Sequence, residues 1–109
     1  MPGSGTVLYL LGIEVAPEAE ARWAPWHREV HMRDVLRCPG FQRGTRWRDM
    51  EAAPDGWARY LVLYEVESRT ALDAYLGGAE VARLRADHEA RFGAVTRLTR
   101  RVLGDPAVP

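Results

Sequence analysis

Ala58-Arg59-Tyr60-Leu61-Val62-Leu63-Tyr64-Glu65-Val66-Glu67 is the stretch that decides the fold. It is rich in aromatic and β-branched residues and holds no Gly or Pro, so it reads as a strand. With a side-chain period of two, Tyr60, Val62, Tyr64 and Val66 share one face, and Leu61, Leu63, Glu65 and Glu67 share the other. Thr6 to Val15 has the same character. Val7, Tyr9, Leu11, Ile13 and Val15 form one wholly apolar face; Leu8, Leu10, Gly12 and Glu14 form the other, polar only at its end. Strands with large apolar residues on both faces belong in the centre of a sheet.

Working outward, Ala16-Pro17-Glu18-Ala19-Glu20 is a helix start, with Pro in the first turn and two acids facing the positive end of the helix dipole. The helix is expected to run to about Arg37 and stop at Cys38-Pro39-Gly40, with a kink or restart at Pro25. Phe41 to Met50 reads as a second strand with Phe41, Arg43, Thr45 and Trp47 on one face, and Pro54-Asp55-Gly56 as the turn that leads into Ala58–Glu67. Ser68 caps a second helix, Gly77-Gly78 interrupts it, and a further piece over Ala79–Phe92 carries Val81, Leu84, His88 and Phe92 on one stripe. Ala94 to Leu103 is the last strand. The order β-α-β-β-α-β predicts an α+β, ferredoxin-like fold, with both helices on one face of a four-stranded antiparallel sheet. The 109 residues make one domain with an ordered core over about 6–103, a loose arm at Met1–Gly5 and a frayed tail from Gly104.

Helices on one face leave Leu8, Leu10, Leu61 and Leu63 on the other. Such a patch marks an interface, and a two-fold homodimer packed sheet on sheet would bury it. Fifteen basic and fifteen acidic residues cancel, which argues against nucleic acid or an anionic membrane as the main partner. All the basic residues are Arg, so Lys chemistry such as a Schiff base is absent. Cys38 stands alone and excludes an intrachain disulfide; no apolar run spans a bilayer. The expected setting is cytoplasmic.

Trp23-x-x-Trp26-x-x-x-x-His31-x-x-Asp34-Val35-Leu36, followed by Pro39-Gly40-Phe41, resembles the dimeric α+β barrel superfamily, which includes antibiotic-biosynthesis monooxygenases and EthD-like proteins. The resemblance covers about Val7 to Leu103, and Tyr60–Ser68, Arg91-Phe92-Gly93 and Arg100–Leu103 place the chain in an uncharacterised branch. It implies a homodimer formed through the sheets and a pocket between helices and sheet in each subunit. It does not choose a reaction, because members catalyse cofactor-free oxygenation, cyclisation, haem degradation and isomerisation.

Within Trp23–His31, two indoles and two imidazoles share about two helical turns. The expected pocket lining is Trp23, Trp26, His27, His31, Tyr9 and Tyr64, around a small apolar or aromatic molecule. His31 is the candidate general acid or base, with Asp34 one turn on to orient it. Each has a plainer reading as a packed core residue. His27 and His31 form His-x-x-x-His, but the acid of a zinc-protease motif is missing at the next position and no third ligand is evident, so no metal is expected. No cofactor is expected either; haem on an axial histidine is the remaining alternative. His88 reads as a packing residue and Arg46 as a solvated strand arginine. The reading that follows is a small-molecule-binding protein, with a cofactor-independent monooxygenase, cyclase or isomerase for an aromatic or polyketide-like compound set against a non-catalytic ligand-binding or structural homodimer.

Overall fold

The computed structural model describes residues 5–105; the expected arm over 1–4 and the end of the tail, 106–109, lie outside them. The elements are β1 (Val7–Val15), a long helix, β2 (Phe41–Arg48), β3 (Ala58–Val66), α3 (Arg69–Leu76), α4 (Ala79–Phe92) and β4 (Thr96–Gly104). The long helix has three parts: α1 (Pro17–Trp26), a π-helical segment (His27–Met32) and α2 (Arg33–Leu36). The sheet is antiparallel in the order β2-β3-β1-β4, so the two most apolar strands are central, as their composition requires. The inner faces of β1 and β3 pair Tyr9 with Tyr64, Leu11 with Val62 and Ile13 with Tyr60. They pack against Ala19, Trp23, Val35, Leu72, Leu84 and Phe92 of the helices. On α4 the whole predicted stripe, Val81, Leu84, His88 and Phe92, is buried.

The local signals mostly act as expected. Pro17 opens α1 with Glu18 and Glu20 in its first turn. The Ser68 hydroxyl accepts from the Ala71 backbone N–H at 3.0 Å and starts α3. Gly77 and Gly78 separate α3 from α4. Gly40 has φ +89°, a left-handed backbone that side chains disfavour, and a Cβ there would meet the Ala71 Cβ at 2.6 Å. Pro39-Gly40 therefore ends the helix and also lets the chain pass close under α3.

Three expectations need correction. The helix does not restart at Pro25. Trp26 and His27 keep helical dihedrals, and the bonding widens to the π pattern from His27. The wider turn lies after Pro25, beyond the preceding turn that its ring crowds and in which its N–H is missing. In β2 the simple alternation fails, because Phe41 faces Val66 while Arg43 faces Glu65, leaving Gln42 as the extra residue of a β-bulge. Phe41 therefore packs inward on Tyr64 and Tyr75. Arg46 and Arg48 follow on the inner face, and Arg43, Thr45 and Trp47 turn outward. Finally, Gly93–Val95 forms a 3-10 turn, so β4 begins at Thr96 rather than Ala94.

Candidate functional site

The inner face of the sheet is not filled. Between it and the helices lies a cavity of about 360 Å³. Its apolar lining comes from Leu11, Ile13, Val35, Leu84 and Leu98, and its polar lining from three imidazoles, three tyrosines, Arg85, Arg100 and Glu89. Of the residues expected to line a pocket, His27, His31, Tyr9 and Tyr64 do so. Trp23 and Trp26 do not, and Val30, on the same helix, faces solvent.

The two indoles stand one layer behind. Trp23 is fully buried, and its ring stacks on His27 with centroids 4.3 Å apart and planes 21° apart. His27 in turn stacks on His31 at 5.3 Å and 20°. Residues 23, 27 and 31 thus form one column. In an α-helix, steps of four drift around the axis. A π turn rotates less per residue and takes that drift back. The π segment is therefore what keeps His31 in line with Trp23 and pointing into the cavity. Trp26 packs outside the column, against His31, His88 and Phe92, with the Arg91 guanidinium 5.6 Å from its centroid.

Hydrogen bonding fixes the protons on two of the rings. The Trp23 Nε1–H donates to His88 Nε2 at 3.1 Å, and an indole can only donate. His88 is therefore neutral, with its proton on Nδ1. The Arg46 Nη1–H donates to the Ala24 carbonyl at 2.8 Å and lies 3.2 Å from His27 Nδ1. A guanidinium also only donates, so His27 is neutral with its proton on Nε2. Arg46 is thus not a solvated strand residue, as expected from sequence, but a clamp. Its guanidinium lies over Trp23 at 5.5 Å and Tyr60 at 5.1 Å.

His31 differs from its neighbours. Among the described residues none hydrogen-bonds its ring, and no buried side-chain nitrogen or oxygen lacks a partner, so its nitrogens are open to the cavity. Asp34 does not orient it: that carboxylate lies 3.6 Å from Arg37 and 3.8 Å from Arg83. Burial, helped by the charge His88 would carry, lowers the His31 pKa to about 4. Burial first, then His31 and Arg46, lowers His27 to about 2. His88 is also lowered, chiefly by burial. All three imidazoles are neutral at pH 7. The Tyr64 hydroxyl, whose pKa burial raises strongly, stays protonated beside them. Burial likewise raises the Cys38 thiol, which donates to the Asp34 carbonyl and lies outside this lining. No group of three His, Cys, Asp or Glu among the described residues is arranged to hold a metal ion.

The family model "Domain of unknown function (DUF4286)" matches residues 6–105. The chain belongs to the DUF4286 family. Solved structures similar to this DUF4286 chain include an EthD family protein from Bacillus halodurans, with 15% identity over 91% of this chain and 98% of that one and a TM-score of 0.69. HapK from Hahella chejuensis has 17% identity, coverage of 94% and 95%, and a TM-score of 0.69. SnoaB from Streptomyces nogalater, described as a cofactor-independent oxygenase, has 18% identity, coverage of 93% for each chain and a TM-score of 0.65. At such identities the likeness is one of fold, and the fold shared with this DUF4286 chain is the α+β, ferredoxin-like one. No curated protein matches the chain in sequence. Among the described residues, no helix is long and apolar enough to cross a membrane.

His88 was the residue most under-read from sequence. Its place on the apolar stripe of α4 signalled burial. Nothing in the sequence signalled that it shares a wall with His31, 5.5 Å away between ring centroids.

Proposed function

We propose that this protein is a cytoplasmic homodimer that binds a small aromatic molecule in each subunit's cavity, and that His31 acts there as acid and base in chemistry that needs no cofactor. The observation that carries the reading is the state of His31: neutral at pH 7, free of hydrogen bonds and open to a largely apolar cavity. A neutral imidazole can take a proton from an activated C–H or O–H and return it elsewhere on the ring system, as oxygenation, cyclisation or isomerisation of a phenolic compound requires. The Nε2–H of His27, the Nδ1–H of His88 and the Tyr64 hydroxyl supply donors for an oxygen that gains charge meanwhile. SnoaB, with the same fold, is described as a cofactor-independent oxygenase, which is consistent with this assignment.

Native mass spectrometry of the purified protein will identify a co-purified molecule, and turnover of that compound provides the test. His31→Ala is expected to lower it about a hundredfold, the usual worth of a positioned proton-transfer group. Unchanged turnover would remove His31 from the mechanism. The dimer rests on the outer face of the sheet, where Leu8, Leu10 and Leu63 are half-buried and Leu61, Leu103 and Trp47 are 45%, 39% and 63% exposed. Sedimentation at micromolar concentration should give a dimer, and Leu61→Glu a monomer; a wild-type monomer would overturn this part of the reading.

A further inference from the structure

Besides the imidazoles of the long helix and α4, the cavity wall holds Arg85 of α4 and Arg100 of β4, with Tyr9 and Tyr75. Arg100 acts electrostatically on His88 as well. The Arg85 Nη2 lies 3.4 Å from the Tyr9 hydroxyl, and the Tyr9 and Tyr75 rings meet edge to face at 6.4 Å. Both guanidiniums act electrostatically on the Tyr75 hydroxyl, so they converge on the same region.

These two are the arginines of the lining, and among the described residues neither is paired with an acid. On α4, Arg83 pairs with Glu80, and Arg91 with Asp87 at 2.9 Å. On β4, Arg97 pairs with Glu14 and Asp55, both at 2.8 Å. Among the described residues no carboxylate pairs with Arg85 or Arg100 on those same elements. The one acid in the lining, Glu89, has its carboxylate beside Gly93, acts on His88 and pairs with neither arginine. Two guanidiniums at the wall of a largely apolar cavity, with tyrosine hydroxyls beside them and no carboxylate paired to either, make a receptor for a carboxylate. A guanidinium matches a carboxylate with paired N–H donors, and a partly desolvated site strengthens the bond.

We infer that the cavity takes an aromatic acid, with its ring against Leu11, Leu84 and Leu98 and its carboxylate between Arg85 and Arg100. This rests on the small-molecule reading above and narrows it to one substrate class. The carboxylate fixes which ring edge is presented to His31, so the arginines position the substrate and do not themselves move the proton.

The test compares 2-naphthoate with the neutral 2-naphthamide by calorimetric titration of the full chain. Naphthoate is expected to bind about tenfold more tightly, the lower end of what charge-assisted hydrogen bonds contribute at a partly exposed site. Arg85→Gln with Arg100→Gln should remove that preference by weakening naphthoate more than naphthamide; both side chains are exposed, so the variant will fold. Equal affinities in the wild type, or a preference for naphthoate that survives in the double variant, would overturn the inference and leave the cavity reading in place. Failure of both compounds to bind would overturn the two together. Higher salt should weaken naphthoate alone.

Discussion

Trp23→Ala is expected to destabilise the domain by about 3–5 kcal/mol, the range for deleting a large buried aromatic. Several effects add. The indole is fully buried and stacks on His27 and on Tyr60, 4.9 Å away, with Arg46 over its face. Its loss leaves a void under the imidazole column and takes the hydrogen bond from His88 Nε2. Trp23→Phe separates these contributions. It keeps most of the packing and loses the N–H, so it should cost about 1–3 kcal/mol, the penalty of an unpartnered buried acceptor. It should also free the His88 tautomer, which nitrogen chemical shifts of the ring report directly. Urea unfolding gives both stabilities. If Trp23→Ala costs less than Trp23→Phe, the indole is not the support described here.

Acidification should weaken the fold well above the range where carboxylates titrate. His27 and His31 are held neutral in the folded chain, with pKa values lowered to about 2 and about 4. Unfolded, each titrates near 6.5. Below pH 6.5 the unfolded chain therefore binds more protons than the folded one, and stability falls with pH. The loss begins near pH 6.5, continues to about pH 4 for His31 and further for His27. At about 1.4 kcal/mol per pH unit for each ring, the two together remove on the order of 5 kcal/mol by pH 4.5. His88 adds in the same sense. Asp34 and Asp87 act on His31, and Glu89 and Asp87 on His88, in the opposite sense, but burial outweighs them; Arg46 faces His27 and the rings face one another. Melting curves at pH 7, 6, 5 and 4.5 check this, and His27→Gln should flatten the profile by about one proton. Equal melting temperatures at pH 7 and 5 would mean that the column accepts protons in the fold.

The framework was legible because it follows from periodicity and punctuation. Two strands apolar on both faces had to be central, Ser68 had to cap and Gly77-Gly78 had to break. The site was legible only in part, for two local reasons. Gln42 adds one residue to β2, and every residue from Arg43 to Arg48 then changes face relative to Phe41; that is how Arg46 came to lie against His27. The π bonding that begins at His27 has no signal in the sequence, where Pro25 pointed only to a kink or a restart. Only the wider turn aligns Trp23, His27 and His31. The partners of His88 lie 65 residues away along the chain in the case of Trp23, a separation over which a single sequence carries no pairing signal.

The π segment has one more consequence, for how such a site can come and go. A π-helical bond encloses one residue more than an α-helical one. Removing a single residue between Trp26 and Met32 would let the helix close up as an ordinary one, with its ends, its capping and its seat on the sheet preserved. Removed between His27 and His31, it would leave the imidazole now at His31 three α-helical residues after His27, about 60° away around the axis, and out of the column. The chemistry of this wall is therefore separable from the fold by one codon: a scaffold of this kind can acquire or lose its proton-transfer group through a single insertion or deletion, without any change in the core that supports it.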